Sequence, residues 1–513
     1  MTPSLTLQQK LVIPSLFDLI VTIIFIIMIL ADPMIKCYDI FWHLRTGELL
    51  LNGIYPQTDL FSYTAFGKPW ILHEWGSQVI FAFIYQNLGF AGLIVFKSLV
   101  YALMYGLAFK LMLKKNIHIF LSIGLILMLV LGTAFGLTVR PHMFTYLFLV
   151  ILFWIYVCFQ DKGNQKILWA LPVLFLFWIN LHGGFAIGFV FLGVCLAAEL
   201  INCVLNISSD RAGSRTRIRQ LSIWTGLSLA ACFINPNTVK GVLYPLMYLG
   251  DQMDNKTLQE WVAPSMHTDI HFFILMMFTF AGLVFKTKKL QIHEILLVLT
   301  FAVFAFSARR HIPLFTIVTI PVMAGVWQSN ITALFHAIHA STGHGIKKLM
   351  DRISLYMTSR GKDFAMMEKK LNVHLVAVFV ILVMAGISLA APENLNIGLD
   401  KTKYPIEMVD HIKANDIQGN LFNQYRWGGF LLWAIPDQKV FIDGRMDVYQ
   451  KEISNLYYTI INLEPGWEAL IREYDIQHIL VPKDTHMALF LTRVSSDWVL
   501  EKETDSACLF SRR

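Results

Sequence analysis

The chain has 513 residues, 56% of them hydrophobic and only 15% charged, with a mean hydropathy of +0.56, whereas a soluble globular domain is about a quarter charged. That balance excludes a wholly water-soluble protein: at roughly 20 apolar residues per bilayer crossing, the stretch from Leu16 to Ala391 holds many spans. The formal charge of +7 divides into +12 up to residue 392 and −5 beyond it, so the basic balance is a topology signal of the membrane part and implies no nucleic-acid partner.

Apolar windows fall at 16–35, 89–113, 118–138, 142–160, 167–181, 183–204, 221–235, 271–286, 291–308, 311–328 and 372–391, which predicts eleven crossings. The first lacks a small-residue cleavage site and ends in the polar Asp32-Pro33 step, so it reads as a retained span and not a signal peptide. With the N-terminus inside, inner segments carry 20 Lys and Arg, among them Lys10, Lys162, Lys286 and the seven from Lys347 to Lys370, against 8 in outer segments, Lys256 among these. The positive-inside rule selects that orientation and sets the C-terminal region outside, as in a bacterial inner membrane with a periplasmic domain. Residues 329–371, mixing apolar and basic positions, read as an amphipathic helix pair at the inner surface.

Cys158, Cys195, Cys203 and Cys232 sit in apolar runs. Only Cys37 and Cys508 fall on the outer side, and no disulfide is expected between them, because nothing in the sequence brings the last strand to the first loop. Of the charges, only Lys97 and Glu199 lie well inside a window, and both can be reached from an edge.

The first outer loop, 36–75, is where ionisable residues and aromatics mix. Tyr38 to Gly53 reads as a short helix stopped by glycine, with Asp39 and His43 on one face. A turn at Tyr55-Pro56, then Asp59, Phe61 to Thr64 and His73-Glu74-Trp75 follow, and a second helix over 76–87 is expected along the membrane surface. Asp39, His43, Arg45, Asp59, His73 and Glu74 thus stand at the outer interface, where unpaired ionisable groups are costly unless paired or used. Other outer turns carry Arg140 and His142, His182 before Gly183-Gly184, Glu260-Trp261, and Arg309, Arg310 and His311. Arginines there run against the topology rule, and phosphate is their natural partner, since a guanidinium stays charged when desolvated and binds oxygens as a fork.

Beyond Pro392 the pattern alternates: a helix over 404–414, strands at 420–425 and 439–442 with a short helix at 427–435 between them, and strands at 478–481, 498–501 and 508–511. This predicts a small α/β domain with a partly parallel sheet. Asp443-Gly444-Arg445 follows a strand, where such sheets place ligands, or is simply an Asp–Arg pair closing a turn.

An acid after the first span, then Trp42-His43-Leu44-Arg45-x-Gly47, Pro56-x-x-Asp59-x-Phe61-Ser62-Tyr63-Thr64 and His73-Glu74-Trp75, resembles bacterial multi-pass membrane proteins related to the GT-C superfamily of polyprenyl-phosphate-sugar glycosyltransferases. Arg140-Pro141-His142, Asn180-Leu181-His182-Gly183-Gly184, Asn235-Pro236, Glu260-Trp261, Arg309-Arg310-His311, Trp427-Gly428-Gly429 and Asp443-Gly444-Arg445 are similar to motifs of the same set. The resemblance implies an all-α polytopic, GT-C-like membrane domain over 1–392 and an extracytoplasmic α/β domain over 393–513. It further implies transfer of a sugar from a polyprenyl-phosphate donor to an acceptor glycan, lipid or protein on the outer face. Asp39 then matches the superfamily's first-loop acid, Asp59 and Glu74 are further candidate acids, and His43, Arg45, His73, Arg140, His142, His182, Glu260, Arg309, Arg310 and His311 are candidate substrate contacts. The carboxylate either deprotonates the acceptor or holds a divalent metal. The alternatives are a lipid or polysaccharide transporter or flippase, and a non-catalytic scaffold for envelope assembly.

Overall fold

The computed structural model describes residues 13–161, 165–205, 211–250, 260–285, 288–370 and 374–513; Lys10, Lys162, Lys256 and Lys286 of the charge count lie outside them. Ser15 opens the first helix, α1 (Leu16–Ala31), through a reciprocal capping box with Asp18, which satisfies two otherwise orphaned backbone donors. After a two-residue strand, β1 (Met34–Ile35), the chain forms the loop helix α2 (Ile40–Leu51). The long α3 (Trp75–Lys114) bends at Gly89, whose φ of 61° only glycine adopts without strain. Its first arm is the expected outer helix and its second the adjoining apolar window.

The helical part continues through α4 (Ile119–Thr133), α5 (His142–Gln160), α6 (Ala170–Leu181), α7 (Phe185–Val204), α8 (Arg211–Cys232) and α9 (Thr238–Gly250). It closes with α10 (Ile270–Val284), α11 (Ile292–Ser307), α12 (Ile312–Ser341), α13 (His344–Lys370) and α14 (Leu375–Ala390). Every residue from Ile312 to Val326 is buried, the signature of a helix that is apolar all round and central to its bundle. Gly132 lets α4 close onto Thr316 of α12, the close backbone approach that small residues allow in membrane packing.

Among the described residues, five helical segments are long and apolar enough to cross a bilayer: 75–114, 119–136, 142–160, 185–204 and 309–341. Five others, including α1, α10, α11 and α14, are apolar but span only 10–17 residues, short of the roughly 20 a crossing takes. The expected eleven crossings are therefore not confirmed. The window at 221–235 is the end of α8, whose first half carries Arg211, Arg215, Arg217 and Arg219. The first half of the expected inner helix pair is an unbroken extension of α12, and α13 is the second.

After β2 (Gly398–Leu399), which pairs in parallel with β1, come α15 (Ile406–Ala414), β3 (Asn420–Asn423) and α16 (Gly428–Ala434). Then follow α17 (Met446–Ile461), α18 (Trp467–Glu473), β4 (Ile476–Pro482), α19 (His486–Arg493), β5 (Trp498–Glu503) and β6 (Ala507–Arg512). The sheet order is β3-β4-β6-β5, parallel between β3 and β4 and antiparallel elsewhere. The strand expected at 439–442 is not formed. Val440 instead divides its pairing between Leu421 of the tail and Ser62 of the first loop, and Tyr63 N–H donates to its carbonyl at 3.1 Å. This segment fastens the loop to the tail.

Candidate active site

Four outer turns meet at Arg140. Its guanidinium lies 2.5 Å from Asp39 Oδ2 through Nη2 and 2.8 Å from Glu260 Oε2 through Nη1. Asp39 stands at the N-terminus of α2 without a capping hydrogen bond, its carboxylate turned to Arg140, which sits just before α5. Glu260 is held by the backbone: Arg310 N–H donates to its carbonyl at 3.0 Å, and Arg309 N–H to that of Val262 at 3.0 Å. Arg310 reaches the other Glu260 oxygen at 3.6 Å and lies over the Trp261 ring.

Two carboxylates thus share one guanidinium, and they do not share it equally. Burial pushes Glu260 up, but Arg140 and Arg310 outweigh it and hold its pKa down at about 2. Burial raises the Asp39 carboxyl above its usual range; Arg140 alone opposes this, while Glu260, Glu74 and Asp443 add like charge. Asp39 is the more basic of the pair. From the tail, Gly444 rests on it: a Cβ there would come within 2.4 Å of Asp39 Oδ1 and 3.1 Å of Trp42 Nε1.

Beside this cluster lies a second one around Glu74, with His182 Nε2 at 3.4 Å, His73 Nε2 at 3.5 Å and His43 Nε2 at 3.9 Å. The donors fix the tautomer of His182. Trp178 Nε1–H donates to Thr145 Oγ1 at 2.8 Å, so the Thr145 hydroxyl donates to His182 Nδ1 at 2.7 Å, which also accepts Gly184 N–H at 3.0 Å. The remaining proton of a neutral His182 must sit on Nε2, facing Glu74. Burial depresses His43 and His182 to about 3, leaving both neutral at pH 7. His73 is raised: burial opposes its charge, but Glu74 outweighs burial. Burial raises Glu74 in turn, and His73 with the other histidines more than reverses it. Trp75 Nε1–H donates to Asn180 Oδ1 at 2.8 Å and Ser77 to the Leu181 carbonyl, which locks the loop onto the end of α6.

The remaining candidates lie apart. Asp59 is sealed against Arg445 at 2.7 Å, with Arg445 also on Asp443 at 2.7 Å, all three side chains fully buried. Arg45 pairs with Glu48 at 2.6 Å, so neither Asp59 nor Glu74 is its partner. Arg309 is held by Asp269 at 2.8 Å and stacks over Phe135. His142 donates from Nε2 to the Gly136 carbonyl at 2.7 Å, and His311 from Nδ1 to that of Phe304 at 3.0 Å. Cys37 and Cys508 are both free thiols. The part of Asp269 was missed, its only signal being an acid just ahead of an apolar window; the link from Asp59 to Arg445 joins two motifs 386 positions apart.

Among the described residues no group of three or more His, Cys, Asp or Glu is arranged to hold a metal ion. The site's own geometry agrees, since Asp39 and Glu260 turn their oxygens to Arg140 and not to a common point.

No family model and no curated protein matches the chain. Solved structures do, in fold. The archaeal oligosaccharyltransferase AglB from Archaeoglobus fulgidus, in complex with an inhibitory peptide and a dolichol-phosphate, aligns with a TM-score of 0.58 at 10% identity, covering 91% of this chain and 69% of that one. Its apo form gives 0.56 at 9% identity, over 91% and 69%. The form tethered to an acceptor peptide gives 0.55 at 10%, over 91% and 68%. At such identities the likeness is one of fold: the chain is a largely helical protein with apolar helices and a small C-terminal sheet region, folded like these oligosaccharyltransferase structures.

Proposed function

We propose that this chain is an integral membrane glycosyltransferase that moves a sugar from a polyprenyl-phosphate donor to an acceptor on the outer face, with Asp39 as base and Arg140 and Arg310 receiving the phosphate. The observation that carries this reading is the Arg140 guanidinium held between Asp39 and Glu260, with Asp39 the more basic partner. In the reaction Asp39 takes the acceptor's proton, and the acceptor atom bonds to the anomeric carbon as the bond from that carbon to the phosphate oxygen breaks. The electron pair stays on the phosphate, where guanidinium forks stabilise it. Arg310, whose hold on Glu260 is long at 3.6 Å, is the readier of the two to turn to it. Glu74 and its histidines hold the first loop in place beside the reacting groups. In this reading residues 1–392 form the membrane domain and 393–513 the extracytoplasmic one, with the N-terminus inside.

A transporter needs polar groups at the bilayer midplane, and the two charges inside windows are already paired, Lys97 with Asp32 at 2.6 Å and Glu199 with Arg217 at 2.9 Å. The test is transfer of labelled sugar from polyprenyl-phosphate donors by the purified chain in liposomes. Transfer that Asp39→Asn removes supports the reading; no transfer from any donor, or full activity of Asp39→Asn, overturns it.

A further inference from the structure

A crevice of about 430 Å³ opens at the seam between the first loop and the tail, away from Arg140. That volume lies within the roughly 300–1,000 Å³ of small-molecule sites. Arg45 and Glu48 of α2 line one wall and Asp410 and Lys413 of α15 the other, with the rings of Tyr85 and Trp433 between them. The crevice needs both walls: Arg45 and Asp410 line one space only because the tail packs on the loop helix.

The lining selects among ligands. Two cations and two anions cancel, so a phosphate or nucleotide finds no excess positive charge. Leu44, Ile406, Val409 and Phe430 give the crevice an apolar floor, but four charged groups share the lining, and a lipid tail would leave them desolvated without partners. The half-buried Tyr85 and Trp433 rings, beside a guanidinium and an ammonium that donate and two carboxylates that accept, suit a neutral, hydroxyl-rich ligand with one apolar face. We infer that this crevice is a saccharide-binding site, taking a glycan chain of the acceptor. The inference rests on the transferase reading for the word acceptor alone, because the binding chemistry stands without it. Placement fits: Arg45 and Glu48 lie six and nine residues after Asp39 on the same helix, about 9 to 14 Å along it. On the other side, Gly429, at the start of the helix that carries Trp433, packs on the Tyr38 carbonyl beside Asp39. A chain of a few sugar units bridges such a distance.

The experiment is calorimetric titration of the full chain in detergent with chitotriose, mannotriose and maltotriose, each to millimolar concentration. At least one should bind saturably, and binding should weaken about tenfold or more in Arg45→Ala and in the double variant Asp410→Ala/Lys413→Ala. Lys413 and Asp410 are exposed, so their loss should leave thermal unfolding unchanged; Trp433→Phe, which keeps an aromatic ring in place, serves as a third variant. Asp39→Asn should bind the saccharide as the wild type does. Failure of all three probes, or binding unchanged in every crevice variant, overturns the inference. Binding without any sugar transfer sinks the transferase reading and leaves the crevice a saccharide site; transfer without binding does the reverse.

Discussion

Two arginines in this molecule are each held between two carboxylates, and they differ in burial. Arg445 lies between Asp59 and Asp443 with every side chain at 0% exposure, whereas Arg140, between Asp39 and Glu260, and both its acids are 20–28% exposed. The sealed set is satisfied on all sides: Phe61 N–H, Ser62 N–H and the Ser62 hydroxyl donate to Asp59, Tyr449 O–H donates to Asp443 at 2.7 Å, and the guanidinium lies 4.8 Å from the Phe61 and Trp70 rings. Nothing there can be exchanged for a ligand. In the open set one carboxylate, Asp39, is raised above its usual range by burial and neighbouring like charge in spite of its contact with Arg140. The same charges thus form a sealed rivet between loop and tail in one place and a set open to solvent, the proposed site, in the other.

The largest expected effect breaks the sealed set. Arg445→Met leaves two buried carboxylates without a cation, and breaking such a pair costs about 3–5 kcal/mol. Thermal unfolding should drop accordingly, and limited proteolysis should cut the tail while the helical part survives. A variant as stable and as protease-resistant as the wild type would show that the tail is held by other contacts.

Next is Asp39→Asn, which keeps size and removes the proposed base: transfer should fall roughly 10²-fold or more, with thermal stability close to wild type. Arg140→Ala follows. Losing one charge-assisted contact should weaken donor binding by about 1.5–3 kcal/mol, read as a higher KM for the polyprenyl donor. An unchanged KM would move the phosphate site to Arg309, which the structure ties to Asp269.

Sequence pattern found the open set more readily than the sealed one, for a physical reason. Asp39 and Arg140 each stand at the end of an apolar run, where a charge is conspicuous, and Glu260 lies beside Trp261 in the outer loop between two such runs. Asp59 looked equally conspicuous, but its partner lies in the tail, and pattern carries no information on which turn meets which. The tail's helix over 406–414 and its strands followed from local periodicity, whereas the segment at 439–442 did not become a strand because its pairing is split between two neighbours. The window at 221–235 failed as a separate element for a related reason: the helix begins ten residues earlier, in a basic stretch, and its apolar end is only half of it.

The smallest expected effect concerns how Arg140 is divided. A reaction that needs ionised Asp39 is lost as pH falls through the Asp39 pKa, and because burial raises that pKa above 3.8, the acid limb of the rate profile should lie higher than for an exposed aspartate. Glu260→Gln leaves the chain nearly the same shape but removes both a competitor for the guanidinium and a like charge from Asp39. Each change favours the ionised form, so the acid limb should move to lower pH while the plateau rate changes little. Glu260 itself, held down at about 2, is ionised across the whole range and cannot produce the limb. The measurement is kcat/KM against pH for the wild type and the variant. A limb that stays in place would mean that Asp39 is not the titrating group, and a plateau that collapses would make Glu260 the base and Asp39 its partner.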